Sequence, residues 1–173
     1  MANLYVLKKG VAETTDLKDV TATADEINRA ADVSARIVNA TAATLTVTEA
    51  THDGKVITLN RAAGIAVTLP AATGSGTHLR FFIGTTITSN STTIKVVGND
   101  TMVGSAVIAQ DSADTAVMFE AGGTDDTITM NGSTTGGIKG DFVELIDIAT
   151  DLWFVRMTGS ATGSEATPFS ATV

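Results

Sequence analysis

At 173 residues the chain is long enough for one hydrophobic core with a small additional element. Its 43% hydrophobic and 17% charged content makes it globular rather than disordered, yet leaves too few Lys, Glu and Leu for long helices. A formal net charge of −8, with no basic cluster beyond Lys8-Lys9, argues against nucleic-acid binding. With no cysteine, the chain has neither a disulfide framework nor thiolate metal ligands, and it fits a reducing cytoplasm.

In chain order, Asn3 to Lys8 reads as a first strand or an extended arm. The segment MANLYVLKK does not read as a signal peptide, because its basic pair follows the apolar residues and no apolar core comes after. No apolar run approaches the roughly 20 residues that span a bilayer, so no membrane partner is expected. Thr23-Ala24-Asp25-Glu26 has the form of a capping box, and Ile27, Ala30, Ala31 and Ser34 then repeat at helical spacing. This predicts a short helix with a thin apolar face, marginal alone and in need of a neighbour.

From Ala43 onward the chain reads as short strands: 43–48, 55–59, 65–69, 78–84, 93–97, 106–109, 115–120, 127–131, 141–148 and 152–157. Thr and Val are abundant in them, and β-branched side chains pack well on a pleated surface. Clusters such as His52-Asp53-Gly54, Pro70 to Gly76 and Gly98-Asn99-Asp100 separate them as turn signals, read here as hairpin loops. About ten short strands without crossover helices predict a mainly β fold, an antiparallel β-sandwich or barrel carrying one short N-terminal helix. The expected division is residues 1–40 as arm and helix, 41–160 as the β domain and 161–173 as a tail. Within that tail, Pro168-Phe169 suggests partial docking.

The strand alternation carries the main functional signal. In 141–148, Phe142, Ile146 and Ile148 share one face, and Val143 and Leu145 share the other. In 152–157, Trp153, Val155 and Met157 oppose Leu152 and Phe154. Strands apolar on both faces are buried on both, so a second subunit is expected to cover one of them. The expected oligomer contacts are Ile27, Ala31, Phe142, Glu144, Ile146, Trp153 and Val155. Glu144, in a strand that looks buried, requires a cationic partner such as Arg80 or Arg156.

Chemistry is sparse. His52 and His78 lack metal-ligand spacing, and Ser75 in Gly74-Ser75-Gly76 lacks the flanking glycines of a nucleophile elbow. It reads as a flexible loop tip. The acidic groups Asp111/Asp114, Asp125/Asp126 and Asp141/Glu144/Asp147 do not follow the order of a calcium loop. No catalytic residues, cofactor or metal are expected.

The segment TADEINRAADVSAR (23–36), the block LNRAAGIAVTLPAATGSGTHLRFFIGTTITSNSTTIKV (59–96) and the closing GDFVELIDIATDLWFVRMTGSATG (140–163) together resemble the head decoration (cement) and head-fibre proteins of tailed bacteriophages. The resemblance implies a non-enzymatic virion protein, a homotrimer assembled in the host cytoplasm and bound to the major capsid protein on the capsid exterior. It also implies attachment through the N-terminal portion, with Leu4, Tyr5, Val6 and Leu7 as the expected capsid contacts by strand addition. Similar blocks occur in tail-fibre modules. The alternative is therefore a receptor-binding module for host surface glycan, for which Tyr5 and Trp153 would be the aromatic candidates.

Overall fold

A computed structural model describes residues 22, 23, 27, 36–111 and 115–172. The chain divides into two units, residues 1–36 and Ile37–Val173. In the first, the Ile27 amide donates to the Thr23 carbonyl at 3.0 Å, a helical i→i−4 bond. Most of the expected N-terminal helix, and the arm from Asn3 to Lys8, lie outside the described residues.

Among the described residues the second unit is mainly β, with two sheets and one four-residue helix. Its strands are β1 (Ile37–Ala40), β2 (Thr44–Thr46), β3 (Val56–Leu59), β4 (Ala66–Thr68), β5 (His78–Ile83), β6 (Thr92–Lys95), β7 (Thr101–Gln110), β8 (Ala116–Glu120), β9 (Thr127–Met130), β10 (Phe142–Ala149), β11 (Leu152–Ala161) and β12 (Phe169–Ser170). Helix α1 (Glu49–His52) lies between β2 and β3. A seven-stranded sheet has the order β1-β3-β5-β10-β11-β7-β8, and a five-stranded sheet the order β12-β9-β6-β4-β2. Neither described sheet closes into a barrel.

Both sheets are mixed, which corrects the expected antiparallel arrangement. From β1 to β6 each strand enters the sheet opposite to its predecessor. Strands adjacent in one sheet are therefore two apart in sequence and run parallel: β1 with β3, β3 with β5, β2 with β4, β4 with β6. A parallel pair needs a crossover of a dozen or more residues, commonly a helix. Here the crossover from β3 to β5 is residues 60–77, which contain strand β4 of the other sheet. The turn clusters thus carry the chain across the core. Ile65, Leu69 and Ala72, in the links on either side of β4, are buried, with at most 3% exposure. Hairpins do occur, but only in the second half: β7 with β8 and β10 with β11 are antiparallel neighbours in sequence. The β10–β11 turn places Asp151 at φ 60°, a left-handed conformation that Asp tolerates.

The core lies between the two inner faces. Ile57, Leu79, Phe81, Leu145 and Trp153 come from the larger sheet, and Val67, Ile94 and Ile128 from the smaller. Each such burial contributes about 1.5–3 kcal/mol before the entropy of ordering is set against it. Phe169 is buried where β12 pairs with β9, so the Pro168-Phe169 end does dock.

Two devices fix the strand ends and one fixes the central pairing. Asp147, on the inner face of β10, accepts the amides of Thr73 (2.9 Å), Gly74 (2.7 Å) and Ser75 (3.0 Å) and the Ser75 hydroxyl (2.9 Å). The Gly-Ser-Gly loop expected to be a flexible tip is thereby tied to a strand more than 70 residues away. At the other end of β10, Asp141 accepts the amides of Gly137 (2.8 Å) and Ile138 (3.0 Å). The β7–β11 pairing depends on Gly104, whose φ of +137° few L side chains adopt; a Cβ there would collide with the Val155 carbonyl oxygen.

The two carboxylates respond oppositely to burial. Desolvation pushes Asp147 up, but the amides of Thr73, Ser75 and Gly74 outweigh it and hold the group below its ordinary 3.8. At Asp141 desolvation outweighs the amides and holds the group above 3.8. The stabilisation from Asp147 is therefore complete above pH 3.8 and is lost as pH falls through its lower folded value, whereas Asp141 favours the fold less as pH rises through its higher one. Asp147→Ala is expected to lower the unfolding free energy by about 2–3 kcal/mol at pH 7, since several amides lose their acceptor. In urea titrations the gap to wild type should close as pH falls below 3.8; a gap independent of pH would contradict the tether. Gly104→Ala should cost more than about 2 kcal/mol, whereas Gly98→Ala, at φ +62° with open space around it, should cost about 1 kcal/mol. Thermal unfolding of the two variants tests this, and equal losses would contradict it.

Candidate interaction surface

The two sheets differ on their outer faces. The smaller sheet presents Thr44, Thr46, Ala66, Thr68, Thr93, Lys95 and Thr129, a polar face suited to water. The larger sheet presents apolar side chains among its polar and charged ones. Met118 is 71% exposed, Ile148 49%, Val103 43%, and Phe82 and Val107 37% each. Half-buried Phe142, Ile146, Leu152 and Phe154 fill the spaces between them. Scattered exposed apolar residues are ordinary, but a contiguous apolar sheet face marks an interaction site.

Pairing register arranges these side chains in ranks that cross the strands. One rank crosses all seven: Asn39, Thr58, Phe82, Phe142, Thr158, Val107 and Met118. The Phe82 and Phe142 rings within it lie 4.8 Å apart between centroids, a favourable tilted pair. The next rank also crosses all seven: Ile37, Val56, Arg80, Glu144, Arg156, Ser105 and Glu120. A third, shorter rank holds His78, Ile146, Phe154 and Val103.

The charged rank is the electrostatic centre of the face. Glu144, with only 13% of its side chain exposed, receives Arg156 Nη2 on Oε2 at 2.7 Å and lies 2.8 Å from His78 Nε2 through Oε1. Arg156 is thus the partner that Glu144 requires. Arg80 donates instead from Nη2 to the Gly54 carbonyl at 2.7 Å.

Of the residues expected at an oligomer interface, Phe142, Glu144 and Ile146 come together on this outer face, in three successive ranks. Trp153 and Val155 lie on the inner face of β11 with 0% exposure, in the core of their own chain. Ile27 belongs to the first unit, while Ala31, Leu4, Tyr5, Val6 and Leu7 lie outside the described residues. Phe82, Val103, Val107 and Met118 were not singled out from the sequence. Alternation in 78–83 and 101–110 was the available signal, but only the register unites them with β10.

The side chains with catalytic vocabulary have structural partners. His52 is buried and accepts the Thr48 amide on Nδ1 at 3.0 Å, closing the single turn of α1. Ser75 Oγ is held by Asp147 and lies 2.7 Å from Thr77 Oγ1. Among the described residues no group of three His, Cys, Asp or Glu could hold a metal ion, and no helix is long and apolar enough to cross a membrane.

No family model matches the chain, and neither a curated protein nor a solved structure proved similar to it.

A double-mutant cycle on Glu144→Gln and Arg156→Gln should give a coupling of about 0.5–1 kcal/mol, modest because Arg156 is 62% exposed. A coupling of zero would contradict the pair.

Proposed function

We propose that this chain is a non-enzymatic structural protein of a tailed-phage virion, a capsid decoration or head-fibre protein that assembles with copies of itself, as a homotrimer, on the outer capsid surface. The observation that carries this reading is the outer face of the seven-stranded sheet, which exposes large apolar side chains around a charged rank, on a chain whose other sheet faces water through threonines. Such a face suits a subunit that works by being assembled. The likeness of residues 23–36, 59–96 and 140–163 to phage head proteins supplies the setting, and the local partners of His52, Ser75 and Glu144 leave those side chains no evident chemistry. The alternative of a glycan-binding tail-fibre module draws less support, because Trp153, one of its two aromatic candidates, is enclosed in the core.

Counting this protein on purified particles by quantitative mass spectrometry, with antibody labelling to locate it, tests the reading. A copy number that scales with the major capsid protein, with label over the shell, is the expected result. A few copies confined to the tail, or none, would overturn it.

A further inference from the structure

We infer that the outer face of the seven-stranded sheet binds a second copy of this chain, through a contact that joins Arg80 of one copy to Glu120 of the next. This rests on the self-assembly proposed above and names its surface.

The chain carries −8 overall, so copies repel one another unless the faces that meet are locally balanced. On this face Arg80 and Arg156 stand against Glu144 and Glu120 in one rank, two cations to two anions. Glu144 is already engaged by Arg156 and His78. Among the described residues the two remaining charges meet no ion of opposite sign: Arg80 donates to a backbone carbonyl and Glu120 makes no ion pair.

Arg80 lies on β5 and Glu120 on β8, with β10, β11 and β7 between them. At about 4.8 Å per strand they are roughly 19 Å apart, far beyond pairing distance within one sheet. Another copy can pair them. A head-to-tail contact brings the β8 side of one face to the β5 side of the next, so a Glu120 meets an Arg80 at each junction. Copies superposed with like strands opposed would instead set Arg against Arg, which specifies the arrangement by repulsion as well as attraction.

The whole face, its polar and charged residues included, approaches the size of such a contact. Seven strands and about four ranks span roughly 30 Å by 20 Å, near 600 Å² in plane, against about 800 Å² per partner in a standard interface. Met118 sits at the β8 edge with 71% exposure, and the Phe82–Phe142 pair lies nearer the β5 side of the same rank. The junction that pairs Glu120 with Arg80 therefore also brings Met118 toward the two rings, a favourable sulfur–aromatic combination.

Light scattering coupled to size exclusion on the full chain, across a dilution series, tests this. The wild type should run as a multiple of 17.7 kDa. Glu120→Lys and Arg80→Glu should each raise the dissociation constant at least tenfold, and the double variant should recover to within a few-fold of wild type. Met118→Lys should weaken association, while Thr68→Lys on the smaller sheet should leave it unchanged, with circular dichroism verifying that each variant folds. A wild type that stays at 17.7 kDa throughout, unchanged mass in Glu120→Lys and Met118→Lys, or no recovery in the double variant would overturn the inference. Because particle location is measured separately, a chain that associates but is missing from virions would refute only the functional reading. A monomer found on the shell would refute this inference and the trimer with it, and leave the virion location standing.

Discussion

Everything in the β unit depends on one constraint: from β1 to β6 the chain may not fold back beside the strand it has just left. Each link crosses to the opposite sheet, so neighbours within a sheet run parallel and the crossover itself is a strand of the other sheet. The loops can do this because their own apolar residues, Ile65 and Leu69 among them, turn inward and become part of the core. Register follows, since a one-residue slip would exchange the faces of every strand. From register follow the two ranks that cross all seven strands, and from those ranks follows the chemistry of the outer face.

The second half of the chain completes what the winding begins. The β10–β11 hairpin joins β5 to β7, and its carboxylates anchor glycine loops at the ends of β10. Asp147 illustrates why a buried charge can be tolerated: five hydrogen bonds replace its hydration, three from backbone amides and two from the Thr73 and Ser75 hydroxyls. Asp141, whose donors do not offset its desolvation, remains a cost at neutral pH. The same hairpin places Trp153 at the centre of the core and Phe154, its neighbour, on the outside.

Much of this was legible in the sequence. Alternation and turn clusters located ten of the twelve strands, and the faces of β10 and β11 were sorted correctly into two sets. Which set faces the core was not legible, because a strand apolar on both sides looks the same either way; Trp153 and Val155 proved inward and Phe142 and Ile146 outward. Pairing was not legible either. A Gly-Ser-Asn cluster terminates a strand whether the chain reverses or crosses, and only loop length and buried loop residues distinguish the two. Asp147 carried a usable signal: it stands at the inward parity of Val143 and Leu145, where a carboxylate needs a built site, and Gly74-Ser75-Gly76 is the kind of loop that can supply one. The buried setting of Glu144 calls for a cation such as Arg80 or Arg156, and Arg156 fills that role.

The winding itself is the claim on which the ranks, the faces and the interface all stand. Backbone nuclear Overhauser contacts in an isotopically labelled sample test it most directly. The crossed winding requires contacts of β3 with β5 and β1 in parallel order, Ile57 beside Phe81 and beside Val38, and none that pair β3 with β4. Antiparallel contacts between β3 and β4, as in a simple hairpin, would contradict it.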